Sequence, residues 1–355
     1  MRNVLITGGA GFIGANFTHY LSRTRPDLGL YVVDALTYAG NIKSLEPLIE
    51  EGKIAFFEGD ICDQNLVETI LRERKIDTVV HFAAESHVDR SIRAPDIFLQ
   101  TNIFGTQTLL KTAFKVWVQE GQCTEHRFHH ISTDEVFGEL SLSDPPFTEQ
   151  TQYQPNSPYA ASKAASDHLV RAYHKTFGLK VTTSNCSNNY GPYHFPEKLI
   201  PLCITNILRG LPLPVYGDGL NVRDWLHVED HCRAIDLVLE QGVVGETYNV
   251  GGNSEMNNIS LVKILCEKMD ALFTANPKLA ARYPACPAAS GQPCLGLIQH
   301  VDDRLGHDRR YAISADKIRR ELGFEPELAL DNGLDLTIQW YLDHPQWWTP
   351  LLGRA

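Results

Sequence analysis

Val4-Leu5-Ile6-Thr7-Gly8-Gly9-Ala10-Gly11-Phe12-Ile13-Gly14 opens the chain with a short aliphatic run that stops at glycines, and Asn16 to Arg23 behind it read as a helix. The order is strand, glycine turn, helix. Gly8, Gly11 and Gly14 sit three apart, a spacing that permits a tight turn, lets backbone approach a pyrophosphate and turns helix-start N–H groups toward its charge. A glycine cluster by itself is weak evidence, since an ordinary turn carries one too, so its context decides. The next apolar run, Leu30-Tyr31-Val32-Val33, ends in Asp34, about twenty residues on, where an acid accepts both hydroxyl hydrogens of an adenosine ribose. No arginine follows to meet a 2'-phosphate, which favours NAD over NADP.

Working outward, Ile54 to Phe57 ends in Glu58-Gly59-Asp60-Ile61, and Thr78 to Phe82 ends in Ala83-Ala84-Glu85-Ser86. Helical patterns lie between and after them, at Gln64 to Arg72 and from about Pro95 to Val118. Strand and helix alternate, which predicts an α/β fold: a Rossmann-type, doubly wound parallel sheet with polar residues collected outside its carboxyl edge. His81 and His87 are expected to be structural. The 355 residues suit one large domain and one smaller, and 43% hydrophobic with 21% charged residues suits a globular protein. A formal net charge of -11 argues against nucleic acid or an anionic membrane as partner. Eight cysteines without a C-x-x-C pair read as free thiols in a reducing compartment and not as a metal site. Neither a signal peptide nor a membrane span is visible, and a cytoplasmic location is expected.

A fifth run, Arg127 to Ile131, delivers Ser132-Thr133-Asp134-Glu135-Val136-Phe137-Gly138 to the same edge. Successive strand residues point to opposite faces, so Asp134 and Glu135 reach one ligand only if the backbone leaves strand geometry near Thr133. Taken alone, the pair is equally a solvated turn or a helix start. Downstream, Tyr159 and Lys163 are four apart at the start of an alanine-rich helix through Phe177, with Pro158 as its start signal. A tyrosine is too weak an acid to serve as base at neutral pH, and a nearby ammonium favours its phenolate. Val181 to Thr183 is a sixth strand. After it, prolines 192, 196, 201, 212 and 214 break the alternation. Residues 1–190 are expected to form the NAD domain, with part of 226–251 returning to it, and 191–355 a smaller α/β domain holding the substrate. Lys198, Arg223 and Arg304 are candidates to clamp a diphosphate, although each arginine also has an aspartate neighbour to pair with. Helices are expected at Val228 to Glu240, Ser260 to Leu272, Ser314 to Leu322 and Asp331 to Leu342, and a mobile surface loop at Ala275 to Gln292.

These residues resemble the extended short-chain dehydrogenase/reductase group and, within it, the dTDP-glucose 4,6-dehydratase family. The resemblance spans nearly the whole chain. It rests on Gly8 to Gly14, Leu36 to Asn41, Ala83 to Ser91, Ser132 to Gly138, Tyr159 with Lys163, Asn185 to Tyr193, Phe195 to Pro201, Arg223-Asp224-Trp225 and Asp303 to Tyr311. It implies that Tyr159, assisted by Lys163 and Thr133, removes the sugar 4-hydroxyl proton while hydride leaves C4, that Glu135 takes the C5 proton and that Asp134 protonates the departing 6-hydroxyl. It also implies an NAD site of Phe12, Ile13, Asp34, Thr37, Asp60, Ile61, Ala83, Thr101 and Asn189, besides the glycines and the Tyr/Lys pair. A nucleotide-sugar site of Ser86, Asn188, Lys198, Leu199, Tyr216, Arg223, Asn258, Arg304 and His307 is implied too, as is a homodimer packing the Tyr159 helix and the Pro95 to Val118 helix. Phe137 stands where the family usually has tyrosine and Leu305 where it has proline. A nucleotide-sugar 4-epimerase or decarboxylase would share the fold, NAD and the Tyr/Lys pair but lack the adjacent acids, an NAD-sensing module would have no use for Tyr159 with Lys163, and the choice between thymidine and other nucleotides stays open.

Overall fold

The computed structural model describes residues 1–353. Six parallel strands follow one another from the N-terminus: β1 (Asn3–Thr7), β2 (Gly29–Asp34), β3 (Ile54–Glu58), β4 (Thr78–His81), β5 (Arg127–Thr133) and β6 (Val181–Cys186). Three short strands then leave this sheet, β7 (Asn188–Tyr190), β8 (Leu213–Tyr216) and β9 (Val222–His227), before β10 (Thr247–Val250) returns to pair with β6. The seven-stranded order is β10-β6-β5-β4-β1-β2-β3. Strand order reverses on either side of β1, and the crevice outside the carboxyl ends of β1 and β4 is where such sheets bind ligands. Thr7 sits level with Val33 on one side and His81 on the other, so the ends of three strands meet there.

Both faces of the sheet are covered, which is why its strands read as apolar runs without alternation. One face packs Val4, Ile6 and Val32 against Phe17 and Leu21 of the Phe12–Thr24 helix and Ile235 of the Val228–Gln241 helix. The other packs Leu5, Val79 and Phe128 against Leu71, Leu110, Trp117 and Val170. The helical run expected from Pro95 to Val118 is continuous through Gln119, but Leu99–Gly105 and Phe114–Gln119 in it are wound as π-helix. His81 is structural, its ring held between the Thr7 and Thr106 hydroxyls at 2.8 and 2.9 Å.

The remaining elements build a second core around Ile204, Leu261, Leu265, Leu334 and Ile338. It carries a three-stranded sheet, β11 (Glu255–Asn257) beside β9 and β7, and a parallel pair of β8 with β12 (Ile298–Val301). Trp347 near the C-terminus donates its indole N–H to Ser44 at 3.0 Å, tying this part back to the first. The Ala275 to Gln292 stretch differs from the expected mobile loop. It forms a helix at Lys278–Arg282 and a 3-10 turn at Pro287–Ser290, because Leu279 and Cys286 bury their side chains in the second core. All eight cysteines are free, no cluster among the described residues could hold a metal, and no described helix is long and apolar enough to cross a membrane.

Candidate active site

A cavity of about 400 Å³ runs along the carboxyl edge of the sheet from Gly8 to Lys198. Its floor is the glycine turn. Gly8 has φ +69°, and a Cβ there would lie 2.6 Å from the Ala83 backbone; a Cβ on Gly14 would lie 2.3 Å from the Gly8 carbonyl oxygen. Only bare backbone fits, leaving the Phe12–Thr24 helix start open to a bound phosphate. At the end of β2 the Asp34 carboxylate accepts from Ala10 N at 2.9 Å and Leu36 N at 2.8 Å, and each oxygen keeps a second lone pair for a ribose hydroxyl. Gly11, Phe12, Ile13, Thr37, Asp60, Ile61, Ala83, Thr101 and Asn189 line the same cavity. This groove fits a dinucleotide carrying a free ribose diol, which is what NAD presents.

The strand break required near Thr133 occurs there. Thr133 ends β5 in extended geometry and its hydroxyl accepts from Glu135 N at 3.3 Å, starting a 3-10 turn over Asp134–Phe137. Gly138 closes the turn with φ +91°, where a Cβ would meet the Gln154 carbonyl oxygen at 2.4 Å. A tight turn in place of a strand lets both carboxylates face one cavity, which they line together with Tyr159 and Lys163. Tyr159 and Lys163 are delivered by the Pro158–Phe177 helix, which starts where Ser157 accepts from Ala160 N at 3.1 Å and Pro158 fills the first position.

The two acids sit in different electrostatic settings. Asp134 is 2% exposed, and burial drives its carboxyl well above the usual range, with the Glu135 and Asp224 charges acting the same way against Arg223 and the Thr133 hydroxyl. Glu135 is also raised by burial, but three cations, Arg304, Arg223 and Lys198, oppose that rise. Environments that separate two carboxyls in this way make one an acid and the other a base. Tyr159 departs from the expectation that the ammonium sets its acidity. Burial and the Glu135 charge push its phenol well up, while Lys163 gives its ammonium to the Ile131 carbonyl at 2.7 Å. The Thr133 hydroxyl is the group that eases ionisation of the phenol.

On the substrate side, Ser86, Asn188, Lys198 and Leu199 line the cavity, whereas Tyr216, Arg223, Asn258, Arg304 and His307 stand beyond its wall. Neither arginine pairs with its sequence neighbour. Arg223 donates to the Val222 and Asp308 carbonyls and stacks 4.3 Å over Tyr311, because Asp224 is occupied by Gly252 N and Ser254 N at 2.7 and 2.6 Å. Arg304 lies 3.6 Å from Asp89, which also accepts from the Tyr216 hydroxyl at 3.3 Å. His307 contacts Asp303 at 2.6 Å, and Lys198 donates to the Ser86 carbonyl at 3.3 Å. The side-chain oxygens of Asn188 and Asn258 are buried without a partner. His87 caps the Val88–Arg93 helix and faces Glu197 at 3.5 Å, a structural place. Sequence reasoning gave no role to Tyr38, Glu85 and Glu197, which also line the cavity; the Tyr38 hydroxyl and one Glu197 oxygen are buried without a hydrogen bond. Both lie in stretches that carried the resemblance, but a single sequence does not separate cavity-facing positions from their neighbours.

A family model described as GDP-mannose 4,6 dehydratase matches residues 5–337. The dTDP-glucose 4,6-dehydratase of Neisseria meningitidis serogroup B is 51% identical, the match covering 100% of this chain and 97% of the relative. The Escherichia coli protein of the same name is 48% identical over 99% and 97%. Among solved structures, DesIV, a dTDP-glucose 4,6-dehydratase from Streptomyces venezuelae with NAD and TYD bound, superposes with a TM-score of 0.85 at 45% identity, covering 99% of this chain and all of that one. The UDP-glucose 4-epimerase of Thermotoga maritima with UDP-glucose matches less well, at a TM-score of 0.79 and 28% identity over 96% and 99%. With the adjacent acids and the Tyr/Lys pair facing one dinucleotide cavity, these matches over the full length place the chain in the GDP-mannose 4,6 dehydratase family, beside its dTDP-glucose 4,6-dehydratase members.

Proposed function

We propose that the protein converts dTDP-glucose to dTDP-4-keto-6-deoxyglucose and water, holding NAD as a cofactor that each turnover restores. The observation that carries this reading is the pair Asp134 and Glu135, adjacent in sequence, turned into one cavity and both raised by burial, with more cations opposing the rise at Glu135. NAD held along Gly8 to Gly14, Asp34 and Thr37 would supply the hydride acceptor for C4 and the hydride donor for C6. Tyr159 removes the proton of the 4-hydroxyl, its ionisation helped by the Thr133 hydroxyl, while Lys163 beside it is tied to the Ile131 carbonyl. The resulting ketone acidifies the C5 proton, and Glu135, facing three cations, takes it as a carboxylate. Asp134, kept protonated by burial, gives its proton to the 6-hydroxyl so that water leaves. The proton held by Glu135 then returns to C5, and the proton taken by Tyr159 balances, by way of solvent, the one Asp134 gave to the departing water, so that the overall change is redox-neutral.

Lys198, Arg223 and Arg304 supply the positive charge that a diphosphate needs in a chain of net charge -11. Ser86, Asn188, Leu199, Tyr216, Asn258 and His307 complete the nucleotide-sugar contacts in this reading. Residues 1–190 with β10 hold the cofactor, and the later residues hold the sugar nucleotide. The protein works as a homodimer in the cytoplasm: Leu99 and Phe104 on the Pro95–Gln119 run are 41% and 58% exposed, apolar side chains suited to a second copy, and the eight free thiols suit a reducing compartment. Incubating the purified protein with dTDP-glucose and, separately, UDP-glucose, with no cofactor added, tests the reaction. The expected result is the 4-keto-6-deoxy product from dTDP-glucose; return of a 4-epimer from either sugar nucleotide would favour an epimerase instead.

A further inference from the structure

Asp167 is a buried carboxylate with no part in the proton transfers above. It lies on the Pro158–Phe177 helix four residues beyond Lys163 and eight beyond Tyr159, so the three share a face. Its residue is 6% exposed, and three donors converge on it: Ser132 Oγ at 2.8 Å, Tyr153 hydroxyl at 3.0 Å and His130 Nε2 at 3.0 Å. A buried carboxylate needs such partners, since each one missing costs a desolvated charge its compensation. Two of the donors alternate along β5, His130 and Ser132, and therefore point to the same side of the strand. Between them, the Ile131 carbonyl accepts from the Lys163 ammonium at 2.7 Å. Helix and strand end are thus cross-linked at three points directly before Thr133, Asp134 and Glu135, and Tyr153 ties the preceding loop to the same carboxylate.

The groups facing Lys163 are Asp167 and Tyr159 on its own helix, His130 on β5, His81 on β4 and Cys186 on β6, with Tyr153 behind Asp167. Burial drives both histidines below their usual range and raises the Cys186 thiol to about 12, so these three are uncharged at neutral pH. Burial also raises the Tyr159 and Tyr153 phenols, leaving them neutral. The negative charge that answers the buried ammonium is that of Asp167.

We propose that Asp167 is a positioning residue for the C4 oxidation: it supplies the counter-charge of the Lys163 ammonium and, through Ser132 and His130, fixes the end of β5 from which Thr133, Asp134 and Glu135 depart. This rests on the dehydratase reading above. Lys163 is pulled toward its neutral form by burial and pulled back by Asp167. Without that charge the ammonium gives up its proton at lower pH, and with it the charge-assisted bond to the Ile131 carbonyl that holds the Tyr159 helix against the end of β5.

The test is the pH profile of kcat/KM with dTDP-glucose for the parent, Asp167→Asn and Asp167→Glu, with NAD affinity measured separately. Asp167→Asn is expected to bind NAD as the parent does, lose about 10-fold in kcat with KM within about 2-fold, and move the alkaline limb down by about one pH unit. Asp167→Glu keeps the charge and returns the limb to its parent position. An alkaline limb unmoved in Asp167→Asn overturns the proposal, whatever the loss in kcat, because a purely structural role lowers activity at every pH alike. Should Asp167→Asn not fold, Asp167→Glu and Ser132→Ala carry the test: both retain the charge and keep the parent limb while lowering kcat, and a limb that moves in either refutes the assignment. A parent that fails to dehydrate dTDP-glucose refutes the underlying reading, whereas an active parent with an unmoved Asp167→Asn limb refutes Asp167 alone.

Discussion

The cofactor side and the sugar side of the cavity are built by opposite strategies. On the cofactor side Gly8 after β1, Asp34 on β2, Asp60 after β3 and Ala83 after β4 all lie within a few residues of a strand's carboxyl end. The sheet itself brings them together, and bare backbone does much of the work. On the sugar side the cations come from segments far apart, Lys198 before the Leu199–Arg209 helix, Arg223 on β9 and Arg304 after β12. They converge only because the second core packs against the first. The acid pair stands at the seam, delivered by a strand of the first side and tuned by cations of the second. A sheet edge therefore fixes where a ligand sits, while scattered cations decide the charge state of the groups that act on it.

Glu135→Gln breaks the seam itself. It is expected to lower kcat by roughly 10²- to 10⁴-fold, the usual worth of a general base, with NAD affinity unchanged. Equilibrium NAD binding beside steady-state turnover checks this, and near-parental turnover would contradict it. Arg304→Ala acts on the sugar side alone. Its loss should raise KM for dTDP-glucose about 10-fold through a missing charge-assisted contact and lower kcat by less, since Arg223 and Lys198 still face Glu135. A larger loss in kcat than in KM would show that Arg304 serves the acid pair more than the diphosphate.

Asp134→Asn gives the smallest effect, read in stability. A carboxyl whose folded value is raised binds a proton more tightly folded than unfolded, so stability falls as pH rises past the unfolded value near 3.8 toward the folded one. Asparagine removes that loss. Its melting temperature at neutral pH should exceed the parent's by about 1–3 °C, with the gain shrinking toward pH 4. Calorimetry at both pH values checks the sign, and equal melting temperatures throughout would place Asp134 in an ordinary setting.

The same contrast explains what was legible in the sequence. The glycine turn, the Asp34 position, the strand-end polar residues and the Tyr159 helix are local signals, and the structure places each of them on the cavity. The break at Thr133 was also legible, because two neighbouring acids cannot reach one ligand from an extended strand. The partners of Arg223 and Arg304 were not, since Asp224 is taken up by backbone N–H groups of Gly252 and Ser254, nearly thirty residues on. The Lys163 ammonium was expected to act on Tyr159 by proximity. Its bond to Ile131 comes from the packing of helix on strand, which no spacing encodes, whereas Asp167, four residues on in the same helix, was within reach of the spacing. The Ala275 to Gln292 stretch misled because its composition suits a surface loop while Leu279 and Cys286 anchor it inward.

The division of labour in which Glu135 takes the C5 proton and Asp134 protonates the leaving hydroxyl is tested most directly by following deuterium from heavy water into C5 of dTDP-glucose in Asp134→Asn. C5 exchange should continue while release of water falls by about 10²-fold, because the base is intact and the acid is gone. Exchange and water loss falling together by the same factor would contradict it.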